Sequence, residues 1–153
     1  MRYNRAMEKH IIIPAVCLLL ECEEKWFVGR RQNTGYCDGC LNMPAGHIDP
    51  DETPREAAVR EAKEEVGIDV GLDDIKFVHI QYNRNTDGTH DRTHYYFKIV
   101  SCDFEPLNTE PNKCSEVLWI PTFTRLDEFV PFMQEALEAM KEGELYSEFY
   151  EVK

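Results

Sequence analysis

The apolar and polar positions divide the chain into strands and two helices. Residues 11–20, "IIIPAVCLLL", form a continuous apolar run of strand length, followed by the turn "EEK" and a second apolar stretch, "WFVGRR". That order reads as strand, turn, strand, with the first strand buried. Pro14 predicts that part of the first strand lies at a sheet edge or carries a bulge. "RQNTGYCDGC" is punctuated by Asn, Gly and Asp and reads as a loop, and "LNMPAGHI" as a short strand entering a turn. "DPDETPREAAVREAKEEVGI" carries helix boundary signals: Thr53 as N-cap, Pro54 in the first position, Glu56 placed to close a capping box, and Gly67 as the stop. "IKFVHIQYNR" and "RTHYYFKIVSC" are aromatic and β-branched strands around the turn "NTDGTH", and "EVLWIP" is a further strand. In "DEFVPFMQEALEAMKEG", Phe129, Phe132, Met133, Ala136, Leu137 and Met140 recur at helical spacing. The tail "GELYSEFYEVK" is aromatic enough to pack on the domain or on a partner, and is left unassigned. No repeat, linker or low-complexity tract interrupts residues 1–153, so a single domain is expected, with helices laid on a mixed sheet.

Charge narrows the function. Lys and Arg number 17 against 29 Asp and Glu, a formal net charge of −12. Such a chain lacks the cationic surface that holds duplex nucleic acid. If its substrate is a phosphate ester, positive charge must come from elsewhere, and metal ions are the natural source. The basic start and the apolar run imitate a secretory signal, but "ECEEK" follows in place of a small-residue cleavage site. The run is also too short to span a bilayer, so no membrane partner is expected and the cytoplasm is the expected compartment. Six cysteines are present: Cys17, Cys22, Cys37, Cys40, Cys102 and Cys114. Cys37 and Cys40 form a C-x-x-C without the second pair that a structural zinc site needs. Reduced thiols are the expectation for a cytoplasmic chain, with Cys17 a small core residue.

The first helix carries the chemistry. Glu61, Glu64 and Glu65 are related by three and four positions and share a face. The Glu61/Glu65 like-charge pair alone costs about 0.2–0.5 kcal/mol without compensation. Arg60 stands four residues from both Glu56 and Glu64 and can brace the row, while Ala58, Val59, Ala62 and Val66 offer an apolar face to a sheet. A solvated acidic face is the ordinary meaning of such a run. Here Lys63 points away from the row, and the Pro-Gly turn "MPAGHI" brings backbone oxygens beside the helix. Clustered carboxylates with a carbonyl are what a hard divalent cation requires.

From Gly46 to Ile68 the residues spell Gly46, five residues, Glu52, seven residues, Arg60-Glu61, Ala62, Lys63, Glu64-Glu65, Val66, Gly67, Ile68. This stretch resembles the Nudix box, G-x5-E-x7-R-E-U-x-E-E-x-G-U with U apolar, of the Nudix (MutT-like) hydrolases, with Ala62 the one soft fit. "VGRR", "PAGH" and the Trp-containing "EVLWIP" resemble the family's flanking pattern. The resemblance implies an α/β fold, an α/β/α sandwich with a mixed central sheet and the box as a loop–helix–loop.

It further implies Mg²⁺-dependent hydrolysis (Mn²⁺ serving also) of a nucleoside diphosphate linked to another group, X. Carried over by position, Glu61, Glu64 and Glu65 become metal ligands and the source of the base. The Gly46 carbonyl completes the metal shell, Arg60 holds the glutamates, and Glu52 supports the loop or reaches a metal through water. Family members often carry a further acid on a later loop, and Glu110 occupies that place here. For substrate, Arg31 is favoured over Arg30 as a phosphate partner. Tyr82, Asn83, Tyr95 and Tyr96 are candidates to line a base pocket by stacking and hydrogen bonding, Tyr82 and Tyr95 foremost. His47 is not read as a ligand, and His90 and His94 are read as surface residues beside a hairpin turn. Three readings follow for the activity. A nucleoside triphosphate pyrophosphohydrolase yielding monophosphate and pyrophosphate suits the short chain best. An ADP-ribose, dinucleotide or nucleotide-sugar pyrophosphatase differs in X alone. A non-catalytic nucleotide-binding module fits poorly with an intact glutamate set. Monomer and homodimer both remain open.

Overall fold

A computed structural model of the chain describes residues 9–85, 89–100, 102–103 and 105–151. Its strands are β1 (Ile12–Cys22), β2 (Lys25–Arg31), β3 (Leu41–Asn42), β4 (Ala45–His47), β5 (Ile75–Asn85), β6 (Asp91–Val100), β7 (Cys114–Pro121) and β8 (Tyr146–Glu151), with helices α1 (Pro54–Val66) and α2 (Pro131–Lys141). Short 3₁₀ turns occupy Leu72–Asp74 and Leu126–Glu128. The sheet runs β3-β2-β1-β6-β5-β8, with β4 joined to β1 and β7 to β2. It is mixed: β1 lies parallel to β6 and β5 parallel to β8, while the remaining pairs are antiparallel.

The unbroken apolar run is explained by a helix on each face of the sheet. Successive side chains of a strand point to opposite faces. Val16, Leu18 and Leu20 pack with Ala57, Ala58, Ala62 and Val66 of α1. Cys17 and Leu19 pack on the other face with Met133, Ala136 and Leu137 of α2. A strand buried on both sides cannot alternate apolar with polar. Each of these leucines contributes about 1.5–3 kcal/mol by leaving water. The architecture is the α/β/α sandwich.

Pro14 stands at an edge, as expected: Ile12 to Pro14 pair with β6 on one side alone, and the β6 ladder runs through Pro14↔Thr93 without a bulge. The β4 ladder begins one residue later at Ala15, and the Pro14 carbonyl accepts the Ile48 N–H. "LNMPAGHI" becomes two short strands split at Met43–Pro44. The second helix begins at Pro131, later than its periodicity suggests, with Phe129 and Val130 buried just ahead of it. The unassigned tail is a strand: β8 extends the sheet beside β5 from Ile80↔Tyr146 to Asn85↔Glu151. The cysteines also depart from expectation. Cys22 and Cys102 are joined in a disulfide with an S–S distance of 2.08 Å. Cys17, Cys37, Cys40 and Cys114 are free. No helix among the described residues is long and apolar enough to cross a membrane.

β1 pairs with β2 at Glu21↔Trp26 and Cys22↔Lys25 and then takes β4 as its neighbour. The sheet therefore splays between these strands, and residues from both halves line a cleft in the opening.

Candidate active site

Helix α1 forms as its boundary residues predict. The Thr53 hydroxyl accepts the Glu56 N–H at 3.3 Å, and the Glu56 carboxylate accepts the Thr53 N–H at 2.7 Å. Gly67 closes the helix at φ 72°, a left-handed conformation that favours glycine. These ends fix which residues face the turn before the helix.

Arg60 is the centre of the acidic face. Its guanidinium donates to Glu52 Oε1 at 2.6 Å and Oε2 at 3.1 Å, to Glu61 Oε1 at 2.7 Å, to Glu64 Oε2 at 3.1 Å and to the His47 carbonyl at 2.9 Å. Glu52 also accepts the Asp49 N–H at 2.7 Å, so it ties the loop to the helix. Glu56, the other residue within helical reach of Arg60, is held instead by the Thr53 N–H. These contacts hold the Glu52 carboxyl below its ordinary range, chiefly through Arg60.

The three glutamates occupy different environments. Glu64 is exposed and tied to Arg60. Glu61 is 7% exposed and lies against Gly46, where any β-carbon would collide with its carboxylate. Glycine is therefore required at position 46 for the strand and the carboxylate to approach. Burial raises the Glu61 pKa, opposed by Arg60. Glu65 accepts the Ala45 N–H at 2.8 Å. Burial pushes its carboxyl up to about 8, with the charges of Glu61 and Glu110 adding to the effect.

A long loop brings Glu110 to this place. The Thr109 hydroxyl donates to the carbonyls of Glu64 at 2.7 Å and Glu65 at 2.6 Å, and the Leu107 N–H to that of Val66 at 2.9 Å. The loop thus caps the end of α1. Glu110, Glu65 and Gly46 all line the cleft, and Lys113 pairs with Glu110 at 2.8 Å beside them. Glu61 and Glu64 lie outside its wall. The cleft holds about 750 Å³, within the range of small-molecule sites.

The candidates on β5 and β6 are sorted by the two-residue period of the strands, whereas Arg30 and Arg31, either side of a register shift in β2, both reach the cleft. Arg31 lines the cleft, its guanidinium bonded to the Tyr36 carbonyl and Thr34 hydroxyl, each at 2.9 Å. Arg30 also lines it, but its guanidinium is bonded to Glu116 at 2.6 Å and Glu128 at 3.4 Å. Asn83 reaches the cleft, as do His47 and His94. Tyr82 and Tyr95 do not. Each sits one residue out of phase with the inward positions Gln81, Asn83, His94 and Tyr96. The Tyr82 hydroxyl donates to Asp91 at 2.5 Å, and Tyr95 packs against the core on the α1 face. Tyr96 is fully buried core.

His94 is also corrected. It is 6% exposed, stacked on Phe132 at 4.6 Å between ring centroids, and burial lowers its pKa to about 4. His90 is exposed, as expected. Position beside a hairpin concealed His94, and strand alternation was the signal that could have found it. Asn42, another cleft residue, carried no such signal.

A family model of the NUDIX domain matches residues 12–142, which contain the arginine-braced glutamates, the Gly46 contact and both helices. The chain belongs to the NUDIX family. Among curated proteins, this Nudix chain is 38% identical over 72 residues to an RNA pyrophosphohydrolase of Rickettsia bellii, covering 44% of each chain. It is 31% identical over 64 residues to an 8-oxo-dGTP diphosphatase of Proteus vulgaris, covering 42% of this chain and 57% of that one. The matched region thus spans about half the length of these relatives. Among solved structures, a MutT NUDIX hydrolase from Burkholderia pseudomallei superposes with a TM-score of 0.70 at 17% identity, over 86% of this chain and 98% of that one. The E. coli ORF135 protein gives 0.73 at 21% identity, over 87% and 91%. Both share the Nudix fold.

Nudix hydrolases generally work with divalent metal ions. Among the described residues, no three His, Cys, Asp or Glu side chains are already gathered as a metal site. The donor chemistry nevertheless fits. Glu61 and Glu65 are carboxylates whose burial disfavours their charge, the situation a hard cation reverses.

Proposed function

We propose that this Nudix chain hydrolyses the diphosphate linkage of a nucleoside diphosphate linked to X, with a nucleoside triphosphate as substrate and the monophosphate and pyrophosphate as products. The observation that carries the reading is Arg60. It braces Glu52, Glu61 and Glu64 beside a cleft where Glu65 and Glu110 meet Arg31 and Lys113.

In this reading, Glu61, Glu64, Glu65 and Glu110 with the Gly46 carbonyl would hold Mg²⁺ or Mn²⁺. When bound, such an ion supplies charge neutralisation at the phosphates and acidifies a water. The chain's own residues do the rest. Arg60 fixes the positions of Glu61 and Glu64, and Arg31, on the strand end beside the Glu110–Lys113 loop, orients the phosphates. One box carboxylate takes the proton from the attacking water. The cleft volume suits a single nucleotide. The absence of a general cationic surface favours a small substrate over duplex nucleic acid. The cytoplasm remains the proposed compartment.

The deciding experiment is a panel of nucleoside triphosphates, ADP-ribose and dinucleotides incubated with Mg²⁺, with monophosphate and pyrophosphate release measured. Triphosphates should be cleaved between the α and β phosphates. In Glu65→Gln that turnover should fall at least a hundredfold with the fold retained, since Gln can still accept the Ala45 N–H. Near-parental turnover in this variant would remove Glu65 from the machinery. No release from any compound would leave a nucleotide-binding module.

A further inference from the structure

Three buried side-chain atoms among the described residues have no hydrogen-bond partner: Asn42 Oδ1, Asn83 Oδ1 and His94 Nδ1. All three belong to residues that line the same cleft. Asn83 and His94 are each 6% exposed. Buried polar groups are ordinarily satisfied, because an orphaned donor or acceptor keeps its desolvation cost with nothing to offset it. Neighbours on the same strands obey the rule. His79 bonds the Glu144 carbonyl at 3.0 Å and the Ser147 hydroxyl at 2.8 Å, and Gln81 donates to the Phe132 carbonyl at 2.8 Å. The exceptions are thus confined to the wall of one cleft.

The chemistry of the orphans defines what they meet. Two are carboxamides, and the third is an imidazole enclosed against the Phe132 ring. None offers a charge to a phosphate. The charged cleft residues Glu65, Glu110 and Lys113 come from α1 and the loop between β6 and β7, and Arg30 and Arg31 from β2, whereas Asn83 and His94 come from β5 and β6, where Arg92 is the one charged residue that lines the cleft. Resting on the triphosphate reading above, we propose that Asn42, Asn83 and His94 are the specificity-determining residues of the site and read the edge of a nucleobase that carries an amino group. The amino N–H groups satisfy the carboxamide oxygens, and the imidazole nitrogen meets a ring nitrogen or carbonyl. A sugar phosphate without a base leaves all three unmet. Sites built to hydrogen-bond a ligand reject analogues lacking the matching group far more strongly than apolar pockets do.

The test is calorimetric binding of AMP, GMP, CMP, UMP and ribose 5-phosphate to the full chain without metal. At least one amino-bearing nucleotide should bind ten times or more tighter than UMP and ribose 5-phosphate. Asn83→Leu, close in size, should abolish that preference and raise the melting temperature, because an unsatisfied buried amide is removed. A role in packing alone predicts the stability gain with the preference intact. Equal binding of all five ligands, or wild-type preference in Asn83→Leu, overturns the proposal. Monophosphate binding requires no turnover, so the two readings fail separately. An inactive chain with base-selective binding loses only the hydrolase reading, and an active chain without selectivity loses only this one.

Discussion

Arg60 donates to Glu52, Glu61, Glu64 and the His47 carbonyl, so one guanidinium links the loop, the strand before it and two turns of α1. Glu61 and Glu52 are largely shielded, with side chains 9% and 16% exposed. Removing the cation would leave them near one another without compensation. Arg60→Ala should therefore cost about 3 kcal/mol in urea unfolding, by analogy with other shielded pairs broken from one side. Arg60→Lys keeps the charge but not the fork, and should recover a minor part. An alanine variant as stable as the parent would mean that the glutamates are positioned by packing. The bracing of Glu64 was legible in the sequence as an i,i+4 relation. The contact with Glu52 was not, because it depends on how the preceding loop folds back. Tyr82 and Tyr95 show the same limit, since composition made them candidates and strand phase faced them elsewhere.

Helix α1 was legible to the residue because its signals are local. Thr53, Pro54, Glu56 and Gly67 each act within one turn of the backbone they terminate. Thr53→Ala removes the side-chain half of the capping box, and should lower unfolding free energy by about 1 kcal/mol. Thermal or urea denaturation checks this, and no loss would show that Glu56 alone secures the end. Elements set by distant partners were harder to read. Phe129 and Val130 continue the period of α2, yet Pro131 starts the helix and biases its predecessor to extended backbone. β8 is an edge strand with Tyr146 and Tyr150 exposed, so its membership of the sheet rests on pairing with β5, which no local pattern announces. The loop carrying Glu110 was placed by Thr109 and Leu107 on the end of α1.

The Cys22–Cys102 disulfide spans a sequence separation of 80 residues, which makes its effect a property of the whole chain. β1 and β6 are already aligned in parallel from Ile12↔Asp91 to Glu21↔Val100, and the two cysteines lie just beyond that last pair. The folded strands therefore hold the thiols close without a bond. The unfolded chain has no such restraint, and closing a loop of this length lowers its entropy by an amount worth about 4–5 kcal/mol. Reduction should consequently leave the folded site intact while lowering the melting temperature by roughly 10 °C, at about 2–4 °C per kcal/mol for a domain of this size. Cys102→Ser should behave as the reduced protein does, and dithiothreitol should then have no further effect on it. Glu65 is held by the Ala45 N–H, Glu110 by Lys113 and Arg31 by Tyr36 and Thr34, so turnover below the melting range should survive reduction. If turnover falls while the melting temperature holds, the bond shapes the cleft and does not act through the unfolded chain. Survival of both fold and activity on reduction would also reconcile the bond with a reducing compartment, where the strand pairing alone would keep Cys22 and Cys102 in place.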